Sequence, residues 1–328
     1  MNIAVFGSGS WATAIVKILC ETHDKVYWWV REKEIVESVT NFGHNPLYLR
    51  SCELEKEKIE VSNDINHILS NAEYLFFVIP AAFLEVSLKD VEKESFKDKK
   101  IISAIKGIVP STNQIVSDYF RVKYDIPFTQ QAVVSGPSHA EEIAQERLTY
   151  LTVGSEDEHL AKNVAKNINC RFVKTVLSDD IEGIEYGAVL KNIYALAAGI
   201  ANGIGYGDNF IAVLISNSVQ EMERFLNVVA PRERDTKRLV YLGDLLVTAY
   251  SQHSRNRTFG QMIGKGYSVI SAQLEMAMVA EGYYSAQSVN QTNKYFKVKM
   301  PIAEAVYRIL YNGASAHKEF EMLSEHFI

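Results

Sequence analysis

Apolar positions in the first half of the chain fall in short, nearly unbroken runs separated by amphipathic stretches. The runs are Ile3 to Phe6, Lys25 to Trp29, Tyr74 to Ile79, Lys100 to Ile105, Gln131 to Ser135, Tyr150 to Val153 and Arg171 to Val176. A strand exposed on one face alternates apolar and polar residues, whereas a strand covered by helices on both faces is apolar throughout. The pattern therefore predicts βαβ units around a parallel sheet. After Ser178-Asp179-Asp180, side chains suited to a helix N-cap, the apolar period changes to 3.6 residues and strand signals become few. The longest predicted helix runs from Ile181 to about Ala201 and is rich in Ala and Gly, so that neighbouring helices are able to approach its backbone.

This change of period divides the chain into an α/β domain over 1–178 and a helical domain over 179–328. A length of 328 residues agrees with two cores. With 47% hydrophobic and 23% charged residues the composition is that of a folded globular chain. The formal charge of -6 argues against a broad nucleic-acid surface, so any anionic ligand needs a local pocket. Cys20, Cys52 and Cys170 stand singly, without the spacing of a disulfide framework or a zinc site. The apolar stretch near Leu75 to Leu84 is broken by Pro80 and is too short to span a membrane, and the N-terminus reads as a strand rather than a signal peptide. The expectation is a cytoplasmic protein with no metal.

Candidate chemistry begins directly after the first run. Gly7-Ser8-Gly9-Ser10-Trp11-Ala12 is a G-x-G-x-x-A sequence between a predicted strand and a predicted helix. There the first Gly permits a tight turn and the second lets the backbone approach a pyrophosphate, while the helix N-terminus supplies N–H donors. This predicts a dinucleotide-binding Rossmann domain. The second strand usually ends in an acid that takes the ribose 2'-hydroxyl, but here it runs Tyr27-Trp28-Trp29-Val30-Arg31. Arg31 suits a 2'-phosphate and so favours NADP(H), an argument that Glu32 and Glu34 beside it weaken. Both coenzymes stay open.

In the helical half, Lys191 is the one charged residue between Ala188 and Ala201. A buried ammonium is costly unless it is paired, neutralised or used; the bland alternative is a lysine snorkelling from the helix surface. Asn192 follows it. Lys106-Gly107 and Gly136-Pro137-Ser138-His139-Ala140 come just past two predicted strands, where open α/β sheets bind ligands. His253-Ser254-Arg255-Asn256-Arg257 is dense in donors, and Asp244 lies upstream of it. Together these offer a cation for a phosphate, a proton donor for a carbonyl oxygen and an acid to orient that donor.

Several of these segments are similar, in order along the chain, to motifs of bacterial-type NAD(P)-dependent glycerol-3-phosphate dehydrogenases. They are Gly7 to Trp11, Ser103-Ala104-Ile105-Lys106-Gly107-Ile108, Ser135-Gly136-Pro137-Ser138-His139-Ala140-Glu141-Glu142 and Leu190-Lys191-Asn192. Gly207-Asp208-Asn209, Leu242-Gly243-Asp244-Leu245, His253 to Arg257, Glu281-Gly282 and Pro301 to Tyr307 continue the series. The resemblance implies a doubly wound Rossmann domain followed by an all-helical C-terminal domain, 6-phosphogluconate-dehydrogenase-like, in a homodimer. It implies reversible reduction of dihydroxyacetone phosphate to sn-glycerol 3-phosphate with NADPH or NADH, feeding glycerophospholipid synthesis. Lys191 would transfer the proton, with Lys106, Gly136, Ser138, Asn192, Asp244, Ser254, Arg255 and Asn256 around the substrate. Gly7, Gly9, Ser10, Trp11, Arg31, Lys106, Ala140, Arg255, Val279 and Glu281 would meet the cofactor. Departures from the family pattern are Ala12 in place of Gly, Ser216-Asn217 in place of Thr-Arg, and the charged stretch Pro231 to Arg238. A related dehydrogenase of 3-hydroxy acids or ketopantoate is the enzymatic alternative, and a redox-sensing binding protein is the non-enzymatic one.

Overall fold

The structure is a computed structural model that describes residues 2–276 and 280–327. It divides into two compact units, the first holding the chain up to Ile105 together with Gln114–Ile181, the second Lys106–Asn113 together with the chain from Glu182 onward.

Eight strands form the sheet of the first unit: β1 (Ile3–Phe6), β2 (Val26–Trp29), β3 (Ile59–Ser62), β4 (Tyr74–Phe77), β5 (Lys100–Ser103), and then β8 (Gln131–Ser135), β9 (Thr149–Gly154) and β10 (Val173–Ser178). The two-residue strands β6 (Ile108–Val109) and β7 (Gln114–Ile115) lie outside it. The spatial order is β10-β9-β8-β5-β4-β1-β2-β3. From β3 to β8 all pairs are parallel, in the strand order of doubly wound dinucleotide folds, and the order in which strands are added reverses between β1 and β4. β9 runs antiparallel to β8, and β10 follows β9 in parallel. β1, β2 and β4 are buried along their whole length, which is why their sequences show no alternation.

The apolar pattern finds every long strand but misses β3. Its sequence, Ile-Glu-Val-Ser, is half-buried at the sheet edge and carries a charge in its middle, so no apolar run marks it. Predicted strands also shift at their ends: β4 stops at Phe77, β5 stops at Ser103, β10 begins at Val173 and extends to Ser178, β2 begins one residue later at Val26, and β9 extends by one residue at each end. Helices α1 (Ser10–Cys20), α2 (Lys33–Phe42), α3 (Ile65–Asn71), α4 (Ala81–Ser87), α5 (Val116–Tyr124), α6 (Ala140–Ala144) and α7 (Glu158–Ile168) join the strands. Ala12 is fully buried in the first turn of α1.

The second unit is built around α8 (Ile181–Gly203), whose residues are buried on every side from Gly183 to Ala201. A helix apolar all round belongs in the centre of a bundle rather than on its surface. Around it in sequence come α9 (Asp208–Val229), α10 (Asp244–Tyr250), α11 (Arg255–Gly264), α12 (Val269–Glu275), α13 (Glu281–Phe296), α14 (Pro301–Asn312) and α15 (Ala316–Ser324). Asp244 and Arg255 lie on different helices. A break at Ser251–Ser254 separates α10 from α11.

Glycines set how closely α8 and α11 approach. A Cβ placed on Gly199 would lie 2.1 Å from the Arg257 carbonyl oxygen, and one on Gly260 would lie 2.2 Å from that of Leu196. Gly203 and Gly264 repeat the arrangement one turn further along. Side chains here would force the helices apart, and overpacking of this kind costs about 1 to 3 kcal/mol or more. The contact fixes the first turn of α11 beside the middle of α8, where Lys191 and Asn192 reside. Among the described residues no helix is long and apolar enough to cross a membrane.

Candidate active site

Two groups of predicted residues are brought together, one in each unit. In the first unit the turn between β1 and α1 has the geometry that a pyrophosphate requires. Gly7 has φ 138°, and a Cβ there would lie 2.6 Å from the Val78 carbonyl oxygen, so only glycine fits. A Cβ on Gly9 would meet nothing within 4 Å, which leaves clear space beside the backbone. Gly9 is the N-cap of α1 and has no side chain of its own to cap that helix N-terminus, a position whose backbone N–H groups suit an anion. This backbone fits a dinucleotide diphosphate.

The turn is anchored from three sides. Trp28 donates its indole N–H to the Gly7 carbonyl at 2.7 Å, buried. Asn45, fully buried, donates to the Ser8 carbonyl at 2.8 Å and to the Thr13 hydroxyl at 3.0 Å. The Arg31 backbone N–H donates to the Ser8 hydroxyl at 3.3 Å. Asn45 has no sequence signal, since a lone Asn in a loop is more often a turn former. The Arg31 guanidinium is largely exposed and bonds Oε1 of Glu32 at 2.7 Å. Gly136, Ser138 and Ala140 follow the carboxyl end of β8. Ser138 donates its hydroxyl to the Gly136 carbonyl at 3.0 Å, and Ala140, buried, begins α6.

In the second unit a buried charge cluster surrounds Lys191. Its ammonium donates to Oδ1 of Asp244 at 2.7 Å and to the Thr248 hydroxyl at 2.9 Å. Thr248 donates its own hydroxyl hydrogen bond to the Asp244 backbone carbonyl at 2.6 Å. The other Asp244 oxygen meets Lys106 Nζ at 3.4 Å. Asp244 opens α10 directly after a π-helical turn, Leu239–Gly243, a form of helix often found at functional positions. The snorkelling alternative for Lys191 does not hold, because its side chain is only 6% exposed.

Electrostatics follow from this burial. Desolvation brings the Lys191 pKa down to about 8; Asp244 pulls it back up, and Lys106 pushes it lower. Burial pushes the Asp244 carboxyl up, but Lys106 and Lys191 more than reverse this and hold it below its ordinary value. Glu281, half-buried at the start of α13, is raised by desolvation and drawn partly back by the charges of Arg255, Lys191 and Lys106.

A chain of amides frames the cluster. Asn192 donates to the Lys106 carbonyl at 3.0 Å and accepts from Asn256 at 2.9 Å, while Asn256 accepts from the Gly282 N–H at 2.8 Å. The Asn192 amide therefore holds the Lys106 segment and Asn256 rather than the Lys191 ammonium. A Cβ on Gly282 would lie 2.6 Å from the Asn192 carbonyl oxygen, so α13 must approach α8 closely here. Ser254, buried, is the N-cap of α11 and accepts from the Arg257 N–H at 3.3 Å. Arg255 is the exposed first residue of that helix, where a cation and the N-terminal amides together suit a phosphate. Val279 lies outside the described residues. Thr248 was not foreseen; it stands one turn after Asp244 in an apolar helix, where a threonine alone carries no functional signal.

The comparisons with known proteins agree across both units. The family model described as "NAD-dependent glycerol-3-phosphate dehydrogenase N-terminus" matches residues 2–161, and that of the C-terminus matches 180–321. "Glycerol-3-phosphate dehydrogenase [NAD(P)+]" of Syntrophotalea carbinolica is 37% identical over 95% of this chain and 94% of its own. The protein of that name from Exiguobacterium sp. is 34% identical over 98% of this chain and 94% of its own. A crystal structure of glycerol-3-phosphate dehydrogenase from Coxiella burnetii superposes with a TM-score of 0.92 at 27% identity, over 99% of this chain and 98% of that one.

Proposed function

This chain belongs to the NAD-dependent glycerol-3-phosphate dehydrogenase family, and we propose on that premise that Lys191 is the general acid in a reversible reduction of dihydroxyacetone phosphate to sn-glycerol 3-phosphate. When bound at the Gly7 to Trp11 turn, NADH or NADPH would supply the hydride that reduces the carbonyl carbon. Lys191 gives a proton to the carbonyl oxygen as negative charge develops there, and solvent restores that proton after turnover. Two of its ammonium hydrogens are held by Asp244 and Thr248, so the third is directed by a fixed geometry rather than by a rotating side chain. This buried arrangement is the observation that carries the reading. Arg255 binds the phosphate, Lys106 adds positive charge, and Asn192 and Asn256 position the Lys106 segment. The proposal extends to a cytoplasmic homodimer that supplies the glycerol backbone of phospholipids.

The test is coenzyme oxidation with a panel of phosphorylated and unphosphorylated ketones, run on the unsubstituted chain and on Arg255→Ala. Dihydroxyacetone phosphate is expected to be the preferred substrate. Arg255→Ala is expected to raise its KM by about tenfold or more, with a much smaller effect on dihydroxyacetone, because a charged hydrogen bond contributes about 1.5 to 3 kcal/mol. Arg255→Lys should recover only part of the loss, since it keeps the charge but not the two-pronged donor geometry. Equal damage to both ketones would remove Arg255 from the phosphate site, and preference for ketopantoate or a 3-oxo acid would overturn the substrate assignment.

A further inference from the structure

Helix α9 carries a carboxylate where helix packing alone does not call for one. Glu221 is fully buried in the middle of α9, on the face that also carries Leu214, Ser218, Met222 and Phe225. Its two oxygens accept the backbone N–H groups of Ile302 at 2.8 Å and Ala303 at 2.9 Å, both in the first turn of α14. A helix is ordinarily capped by its own N-cap side chain, but here that residue is Met300, apolar and buried. Glu221 therefore caps α14 from another helix. The arrangement is costly: burial pushes its pKa up to about 7 against the pull of those amides and of Arg224, and Glu304 adds to the rise. A serine at the N-cap would serve the same helix end without a buried charge, so capping alone does not account for the carboxylate.

The other helix that Glu221 meets is α8. The Tyr194 phenol, fully buried, faces the carboxylate, and burial together with the Glu221 charge holds it protonated, well above its ordinary range. Tyr194 stands three residues after Lys191, about one turn along α8. Further contacts place α9 along the same stretch. The rings of Tyr186 and Phe225 meet edge to face with centroids 5.7 Å apart, and a Cβ on Gly187 would lie 3.9 Å from the Met222 sulfur and 2.9 Å from the Tyr241 ring. Tyr241 belongs to the π-helical turn that leads into Asp244. The turns of α8 on either side of Lys191 are thus held by α9 and by the turn before Asp244, and their placement decides whether the ammonium reaches its two partners.

We propose that Glu221 is a positioning residue for the reaction: held between the first turn of α14 and the Tyr194 phenol, its carboxylate fixes α8 so that the Lys191 ammonium meets Asp244 and Thr248. It touches no reacting group, and its effect passes through Tyr194 and α8. Gln at this position keeps the shape but offers one accepting oxygen in place of two, so one of the two amide bonds is lost and the tie loosens. The proposal rests on the reading of Lys191 as the general acid.

Steady-state reduction of dihydroxyacetone phosphate across pH tests it on the full chain, on Glu221→Gln, on Tyr194→Phe and on the double variant, with thermal unfolding midpoints to show that each is folded. Glu221→Gln is expected to lower kcat by about tenfold with little change in KM, less than the roughly 100-fold that a misplacement of about 1 Å causes. The pH at which kcat/KM breaks, near about 8 in the unsubstituted enzyme, should move down, because an ammonium displaced from Asp244 loses part of the attraction that holds its pKa up. A helix that is merely less stable leaves that break where it is. Tyr194→Phe keeps the ring and removes the hydroxyl, so a smaller loss in the same direction is expected, and the double variant should be no worse than Glu221→Gln alone. Unaltered kcat and break in a folded Glu221→Gln protein, or single losses that multiply in the double variant, overturn the proposal alone. Should Glu221→Gln not fold, an unaltered kcat and break in Tyr194→Phe overturn it. Absence of any break near about 8 in the unsubstituted enzyme overturns it together with the reading of Lys191 beneath it.

Discussion

Replacing Lys191 with Met is expected to lower turnover of dihydroxyacetone phosphate by at least about 100-fold, the lower range for loss of a general acid. The loss should exceed that bound, because the ammonium also stabilises the oxyanion as it forms in a site shielded from water. Met is unbranched, of similar length and at home in an apolar helix, so α8 keeps its packing. The substitution leaves Asp244 paired with Lys106 alone, and this pair keeps the buried carboxylate from standing uncompensated. NADH binding should persist, since the glycine turn and its anchors Trp28 and Asn45 belong to the first unit. The check is steady-state turnover together with coenzyme affinity in the same preparation. A variant that binds NADH and still turns over near the original rate would remove Lys191 from the chemistry.

Asp244→Asn is expected to act through Lys191 rather than directly on the substrate. Asp244 is the group that raises the Lys191 pKa against burial, and Lys106 lowers it. With the carboxylate gone, the Lys191 and Lys106 ammonium groups face each other with Glu281 as the remaining nearby acid, and the easiest relief is loss of a proton from Lys191. The Lys191 pKa then drops below about 8, and turnover near neutral pH falls by about tenfold or more, since each unit of pKa lost costs about tenfold in the acid fraction once pH exceeds it. The diagnostic feature is recovery: activity of the variant should climb again as pH is lowered, toward a limit set by the poorer orientation of the ammonium. A defect of folding would not be repaired by acid. A loss of activity that is the same at every pH would assign Asp244 a scaffolding role instead.

Much of this was legible in the sequence, for identifiable reasons. Strands buried on both faces leave long apolar runs, so β1, β2, β4, β5 and β8 could be read directly, and a charged residue in an Ala/Gly-rich helix made Lys191 conspicuous. The edge strand β3 was not legible, because a half-buried strand with Glu60 in it carries no such run. Nor was the placement of Lys106 with the helical unit: the preceding strand β5 makes it look like part of the sheet domain, and only its long-range bonds to Asp244 and Asn192 place it. Asn45 and Thr248 act through tertiary hydrogen bonds, which have no period and no spacing. Asn192 shows the converse. Its neighbour in sequence is the proposed acid, but helical geometry turns successive side chains about 100° apart, so it serves a different set of contacts.

The most direct test of Lys191 as the proton donor is the pH dependence of kcat/KM for reduction of dihydroxyacetone phosphate by the unsubstituted enzyme, which reports groups on the free protein. Reduction needs Lys191 protonated, and its pKa of about 8 lies well below that of an ordinary lysine. The rate should therefore be level through neutral pH, break near about 8 and fall about tenfold per unit beyond it, while the reverse oxidation, which needs the neutral amine, rises through the same value. A reduction rate that stays level to about pH 10, where only an unperturbed lysine would begin to titrate, would contradict a buried Lys191 as the acid.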